Sequence, residues 1–185
     1  LLPKDNIADK LIIDDLIKRD FHIVILGDVG AGKTTTLQYV CKRAIEFDDK
    51  FFTENSFPLL VRLIIFERNE TIFDNIQRVL GIKVRYVGGA LLNNIESRNR
   101  QHLEERMLIQ SMIFNYIEEL KPIILIDGFD EITIERQKQI YSELNELFLN
   151  IRNAKIILTC RSSAYDINLP NSGVYEICSL NEIQI

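Results

Sequence analysis

Short unbroken apolar runs alternate along this chain with longer stretches whose apolar residues recur at helical spacing. His22-Ile23-Val24-Ile25-Leu26 is the first run, stopped by Gly27. Further runs lie at 59–66 behind Pro58, at 123–126 leading into Asp127, at 155–159 and at 174–177. Each has the length of a β-strand and falls short of a membrane span. The runs are continuous rather than alternating, which is the pattern of strands covered on both faces.

The intervening stretches predict helices. Ile7, Leu11, Ile12 and Leu16 give an amphipathic start. A helix is expected over 34–47. Another is expected over 71–80, capped by Thr71 and ended by Gly81. Residues 82–99 are the least regular part, with a turn at Gly88-Gly89. A long helix follows up to Lys121-Pro122, with Leu103, Met107, Ile113, Ile117 and Leu120 as its expected buried face. Over 134–151, Ile140, Leu144, Leu147, Phe148 and Ile151 mark a strongly amphipathic helix. Strands alternating with helices imply an α/β fold, a parallel sheet with helices on both faces.

Between the first strand and the first long helix stands Gly27-Asp28-Val29-Gly30-Ala31-Gly32-Lys33-Thr34. It matches the phosphate-loop pattern G-x-x-x-x-G-K-[ST] at every fixed position and in the required strand–helix context. Glycines let the backbone turn tightly and approach phosphate closely. Successive N–H groups then form an anion nest at a helix N-terminus. Lys33 can reach the β- and γ-phosphates, the Thr34 hydroxyl can ligate Mg²⁺, and Thr35 continues the helix start within reach of the same phosphates. At average residue usage the fixed positions match by chance in roughly one chain in a hundred of this length.

Two further strand ends carry chemistry. The run at 123–126 delivers Asp127, the type of carboxylate that holds Mg²⁺ in phosphate-loop enzymes. Asp127 is expected beside Thr34. Gly128 adds little bulk, and Asp130 and Glu131 follow as candidates to orient or deprotonate water. The same two carboxylates also suit the N-terminal end of the helix after them. The run at 155–159 ends in Thr159-Cys160-Arg161. Thr159 and Arg161 can face a γ-phosphate, and Arg161 can neutralise charge developing in phosphoryl transfer, or serve as an ordinary surface cation.

Composition trims the alternatives. Of the 185 residues 46% are hydrophobic and 26% charged, an ordinary globular balance. A net charge of −5 argues against a dedicated nucleic-acid binder. Cys41, Cys160 and Cys178 form no CxxC pair, and with no secretory signal they fit a reducing cytoplasm. His22 and His102 stand alone and give no metal cluster. The chain starts at Leu1 and ends at Ile185 without an obvious terminal element, as a domain within a larger protein would.

These motifs, in this order, resemble the NACHT family of STAND-class P-loop NTPases. The resemblance rests on 27–34, on Ile123-Ile124-Leu125-Ile126-Asp127-Gly128-Phe129-Asp130-Glu131 and on Thr159-Cys160-Arg161. Members commonly read Thr-Ser-Arg-Pro at the last motif, where this chain has Cys160 and Ser162. The resemblance covers roughly 1–185, as a single domain. It implies a three-layer P-loop NTPase fold with a parallel five-stranded sheet in the order 5-1-4-3-2. It also implies a slow ATP- or GTP-hydrolysing, Mg²⁺-dependent switch that controls oligomerisation of a signalling or defence protein, with self-association or other domains of the full-length protein as its partners.

Three other functions compete with this one. An AAA+-like ATPase acting on nucleic acid or protein needs a basic groove, and the place to seek it is Arg85, Arg98, Arg100 and Arg106. A small GTPase normally carries an Asn-Lys-x-Asp motif, absent here, which counts against that class; the loop itself reads only phosphates, with ATP expected ahead of GTP. A scaffold with a relic loop sits poorly with intact Lys33, Thr34, Asp127 and Glu131. Neither a membrane nor nucleic acid is expected as a partner.

Overall fold

The computed structural model describes residues 13–18, 22–46, 57–66, 70–82 and 95–178. In chain order the elements are α1 (Ile13–Ile17), β1 (His22–Leu26), α2 (Lys33–Ile45), β2 (Pro58–Arg62), α3 (Ile72–Val79), α4 (Ile95–Leu120), β3 (Ile123–Asp127), α5 (Ile134–Asn150), β4 (Lys155–Cys160) and β5 (Ser172–Glu176). The strands form one five-stranded sheet in the order β2-β3-β4-β1-β5, and every neighbouring pair runs parallel. This is the expected 5-1-4-3-2 order, with β4 between the strand that feeds the phosphate loop and the strand that ends in Asp127.

The unbroken apolar runs have their explanation in two cores. Successive side chains of a strand point to opposite faces. Ile23, Ile25, Ile123, Leu125 and Ile157 pack on one face with Leu16 and Ile17 of α1 and Leu37, Val40 and Ala44 of α2. Val24, Ile124, Ile126, Ile156 and Leu158 pack on the other, against α3, α4 and α5. Three layers result, and every second residue of a central strand is buried on a different side.

His22 anchors the start of β1. Its Nε2 faces the Ile151 carbonyl at 3.2 Å, and its Nδ1 accepts from the Ile156 N–H at 3.2 Å. Its ring meets Phe148 edge-on, with centroids 5.0 Å apart. Both nitrogens are therefore engaged by backbone, which accounts for this histidine without a metal.

Several boundaries differ from the sequence expectation. The second strand was expected over 59–66 but ends at Arg62. Its partner β3 ends at Asp127, directly opposite, so no ladder continues beyond. The backbone winds instead into a 3₁₀ turn at Leu63–Ile65, which exposes Ile64 and Ile65.

Helix α4 starts at Ile95, earlier than expected, and buries Ile113 and Ile117. Met107 is 62% exposed, because at about 100° per residue it lies roughly 120° around the helix from Ile113. Leu120 is partly exposed as the last residue of the helix.

Thr71 caps α3 in a reciprocal capping box with Asp74, and Gly81 takes φ +68° just past its end. Ile7, Leu11, Ile12, Arg85 and the Gly88-Gly89 turn lie outside the described residues, as do the side chains of Leu103, Arg98, Arg100 and Arg106.

Candidate functional site

The loop after β1 owes its shape to its glycines. Gly30 and Gly32 take φ +79° and +94°, in the left-handed region that side chains disfavour. A Cβ on Gly27 would stand 3.0 Å from that of Ala31, so the loop closes tightly only without one. The Gly27 N–H donates to the Cys160 carbonyl at 3.3 Å, tying the loop to the end of β4. Asp28 and Val29 are exposed at the tip.

Gly32 is the N-cap of α2, with no side-chain cap and no acidic residue in the first turn. The leading N–H groups of this helix thus keep their partial positive charge for an outside ligand. Lys33 folds back over the loop, its Nζ donating to the carbonyls of Gly27 at 2.7 Å and Asp28 at 3.0 Å. The Lys33 ammonium and the uncapped start of α2 thus lie side by side on one loop.

Asp127 ends β3 on the α2 face of the sheet. Its two oxygens are held by hydroxyls from two other elements. Thr34 Oγ1 on α2 donates to Oδ2 at 3.0 Å, and Thr159 Oγ1 on β4 donates to Oδ1 at 2.6 Å. The structure therefore brings Thr34 and Asp127 together as the sequence predicts, across 93 residues. Thr159, expected to face phosphate, donates its hydroxyl hydrogen bond to Asp127 instead.

Asp130 and Glu131 sit in a 3₁₀ turn at Phe129–Glu131, behind Gly128 at φ +84°. They have different surroundings. Asp130 is 3% exposed, and Arg161 engages both of its oxygens, the backbone N–H at 2.9 Å to Oδ1 and Nε at 2.6 Å to Oδ2. Glu131 is exposed and folds back over Gly128, where a Cβ would stand 2.9 Å from its Oε2. The small residue at 128 thus makes room for this carboxylate.

A model of the NACHT domain family matches residues 22–184. The chain belongs to the NACHT family. It is a nucleotide-binding module of the P-loop NTPase class, and its sheet order and phosphate loop are those of that class. No curated protein matches the chain.

Two contacts in this NACHT domain escaped the sequence reading. One is the Asp130–Arg161 pair, because nothing in a linear string says which of several nearby charges will meet. The other is Gln137 on α5, whose Nε2 donates to the carbonyls of Phe129 at 3.3 Å and Ile132 at 3.2 Å. It braces the turn that carries Asp130 and Glu131. Cys160 is buried between these groups, and burial pushes its thiol up to about 12, so it is chemically inert packing.

The donor set can be tested against Mg²⁺. Thr34 and Asp127 supply hard oxygens facing each other, and Mg²⁺ takes one or two such protein ligands beside phosphate oxygens and waters. Among the described residues no group of three or more His, Cys, Asp or Glu could hold a metal by protein ligands alone. The residues fit a metal that arrives with its nucleotide. Among the described residues no helix is long and apolar enough to cross a membrane.

Proposed function

We propose that residues 1–185 form one NACHT-type NTPase domain of a larger multidomain protein. It binds ATP in preference to GTP, with Mg²⁺, and hydrolyses it slowly. Its nucleotide state controls self-association in a signalling or defence protein, in the cytoplasm. The observation that carries the nucleotide reading is the Thr34–Asp127 contact beside the uncapped start of α2 and the Lys33 ammonium.

The NACHT domain's own residues take distinct parts in hydrolysis. The leading N–H groups of α2 and the Lys33 ammonium hold the phosphates. Thr34 and Asp127 hold Mg²⁺, which when bound neutralises charge on the phosphate oxygens. Glu131, exposed and unburdened by Arg161, places the attacking water and takes its proton as water oxygen bonds to the γ-phosphorus. The bond to the bridging oxygen breaks, and ADP and phosphate leave. Asp130 acts through Arg161, fixing the guanidinium where charge develops.

Calorimetric titration of the purified chain with ATP, ADP and GTP, with and without Mg²⁺, tests the site. Binding that favours ATP and drops at least tenfold in Lys33→Ala is expected. A folded chain that binds no nucleotide overturns the reading. Sedimentation with a non-hydrolysable ATP analogue and with ADP tests the switch. The same mass in both states rejects control of self-association.

A further inference from the structure

We propose that Arg62, at the end of β2, contacts the terminal phosphate of the bound nucleotide and sets the preference for a triphosphate over a diphosphate. This rests on the nucleotide reading above and adds a residue that the phosphate-loop, Asp127 and Arg161 motifs do not contain.

Strand geometry places it. β2 and β3 run parallel with Arg62 directly opposite Asp127, and neighbouring strands lie about 4.8 Å apart. Leu59 and Val61 pack in the core on the α3, α4 and α5 side, so Leu60 and Arg62 project to the opposite face. That is the α2 face, where Asp127 meets Thr34. Arg62, Asp127 and Thr34 line one cavity of about 340 Å³, whose floor is formed by apolar residues such as Leu37, Ile45 and Leu60. A charge above such a floor is less screened than one on an open polar surface.

The guanidinium is exposed, and among the described residues it makes no hydrogen bond or ion pair. It forms no ion pair with Asp127, whose oxygens accept the Thr34 and Thr159 hydroxyls. A cation stands in reserve at the edge of the site. It lies beyond the Thr34–Asp127 pair, on the side away from the β1 loop. A phosphate chain held by that loop reaches Arg62 only with its outermost group. Arginine suits the contact because its planar fork matches phosphate oxygens in a bidentate way.

The test is calorimetric affinity for ADP and for a non-hydrolysable ATP analogue, both with Mg²⁺, in wild type, Arg62→Ala and Arg62→Gln. Arg62 is exposed, and thermal melting checks that both variants fold. Triphosphate affinity is expected to fall about tenfold while ADP affinity stays within about twofold. An unchanged triphosphate affinity, or an equal loss for both ligands, overturns the role of Arg62 and leaves the nucleotide site standing. Wild-type protein that binds neither ligand overturns the nucleotide reading itself, and this assignment with it.

Discussion

Arg161 grips Asp130 twice, through its backbone N–H at 2.9 Å and its Nε at 2.6 Å, on a carboxylate that is almost wholly buried. Both oxygens of Asp130 are thereby engaged, whereas Glu131, the next residue, is exposed. Adjacent carboxylates of the same chemical type thus have separate work.

That separation predicts opposite phenotypes. Asp130→Ala leaves Arg161 without its anchor and is expected to lower stability by about 1–2 kcal/mol, a value discounted for the partly exposed guanidinium. Glu131→Gln is expected to leave stability unchanged and to lower kcat by about a hundredfold or more, the scale of a lost general base. Urea unfolding and phosphate release on the two purified variants check both halves. Equal destabilisation by both changes contradicts the division of roles.

Thr159→Val keeps the shape of the side chain and removes the hydroxyl that holds Asp127 Oδ1. Losing a hydrogen bond to a charged group is expected to cost about 1.5–3 kcal/mol of stability. Asp127 also loses its orientation, so the Mg²⁺ concentration needed for half-maximal nucleotide binding is expected to rise several-fold. A metal titration followed by nucleotide fluorescence reads this directly. Weaker binding that is the same with and without Mg²⁺ points to a phosphate contact for Thr159 instead.

Gly128→Ala places a Cβ at φ +84° and within 2.9 Å of Glu131 Oε2. Left-handed backbone costs a residue with a side chain about 1–2 kcal/mol. The flexible Glu131 carboxylate moves aside, so hydrolysis is expected to fall while nucleotide affinity holds. Melting temperature, affinity and turnover measured together separate the two effects, and full turnover in this variant refutes the link between Gly128 and Glu131.

His22 predicts an acid-sensitive fold. Burial holds its pKa below the ordinary 6.5, outweighing the raising effect of its bond to the Ile151 carbonyl. The unfolded chain therefore takes up the proton first. The stability given by neutral His22 is present above pH 6.5 and lost as pH falls below that value. Urea unfolding between pH 7.5 and pH 5 is expected to show this decline, and His22→Leu, less stable at neutral pH, is expected to flatten it. A decline of equal slope in the variant assigns acid sensitivity to other groups.

The sequence by itself determined the parts whose physics is local. The phosphate loop was legible because a tight anion nest needs glycine, lysine and threonine at fixed separations along one stretch of chain. The unbroken runs at 22–26, 123–126 and 155–159 announced strands with two covered faces, since each alternate residue had to meet a different core. Thr71 and Gly81 bounded α3 because caps act within a few residues.

Tertiary structure decided what depends on register. Only the pairing of β2 with β3 stops the second strand at Arg62 and sets that arginine beside Asp127. Only the placement of β4 between β1 and β3 gives Thr159 to Asp127 and Arg161 to Asp130. The latter two pairs lie 32 and 31 residues apart. Packing of both sheet faces fixes their separation, and no periodicity along the chain carries that information.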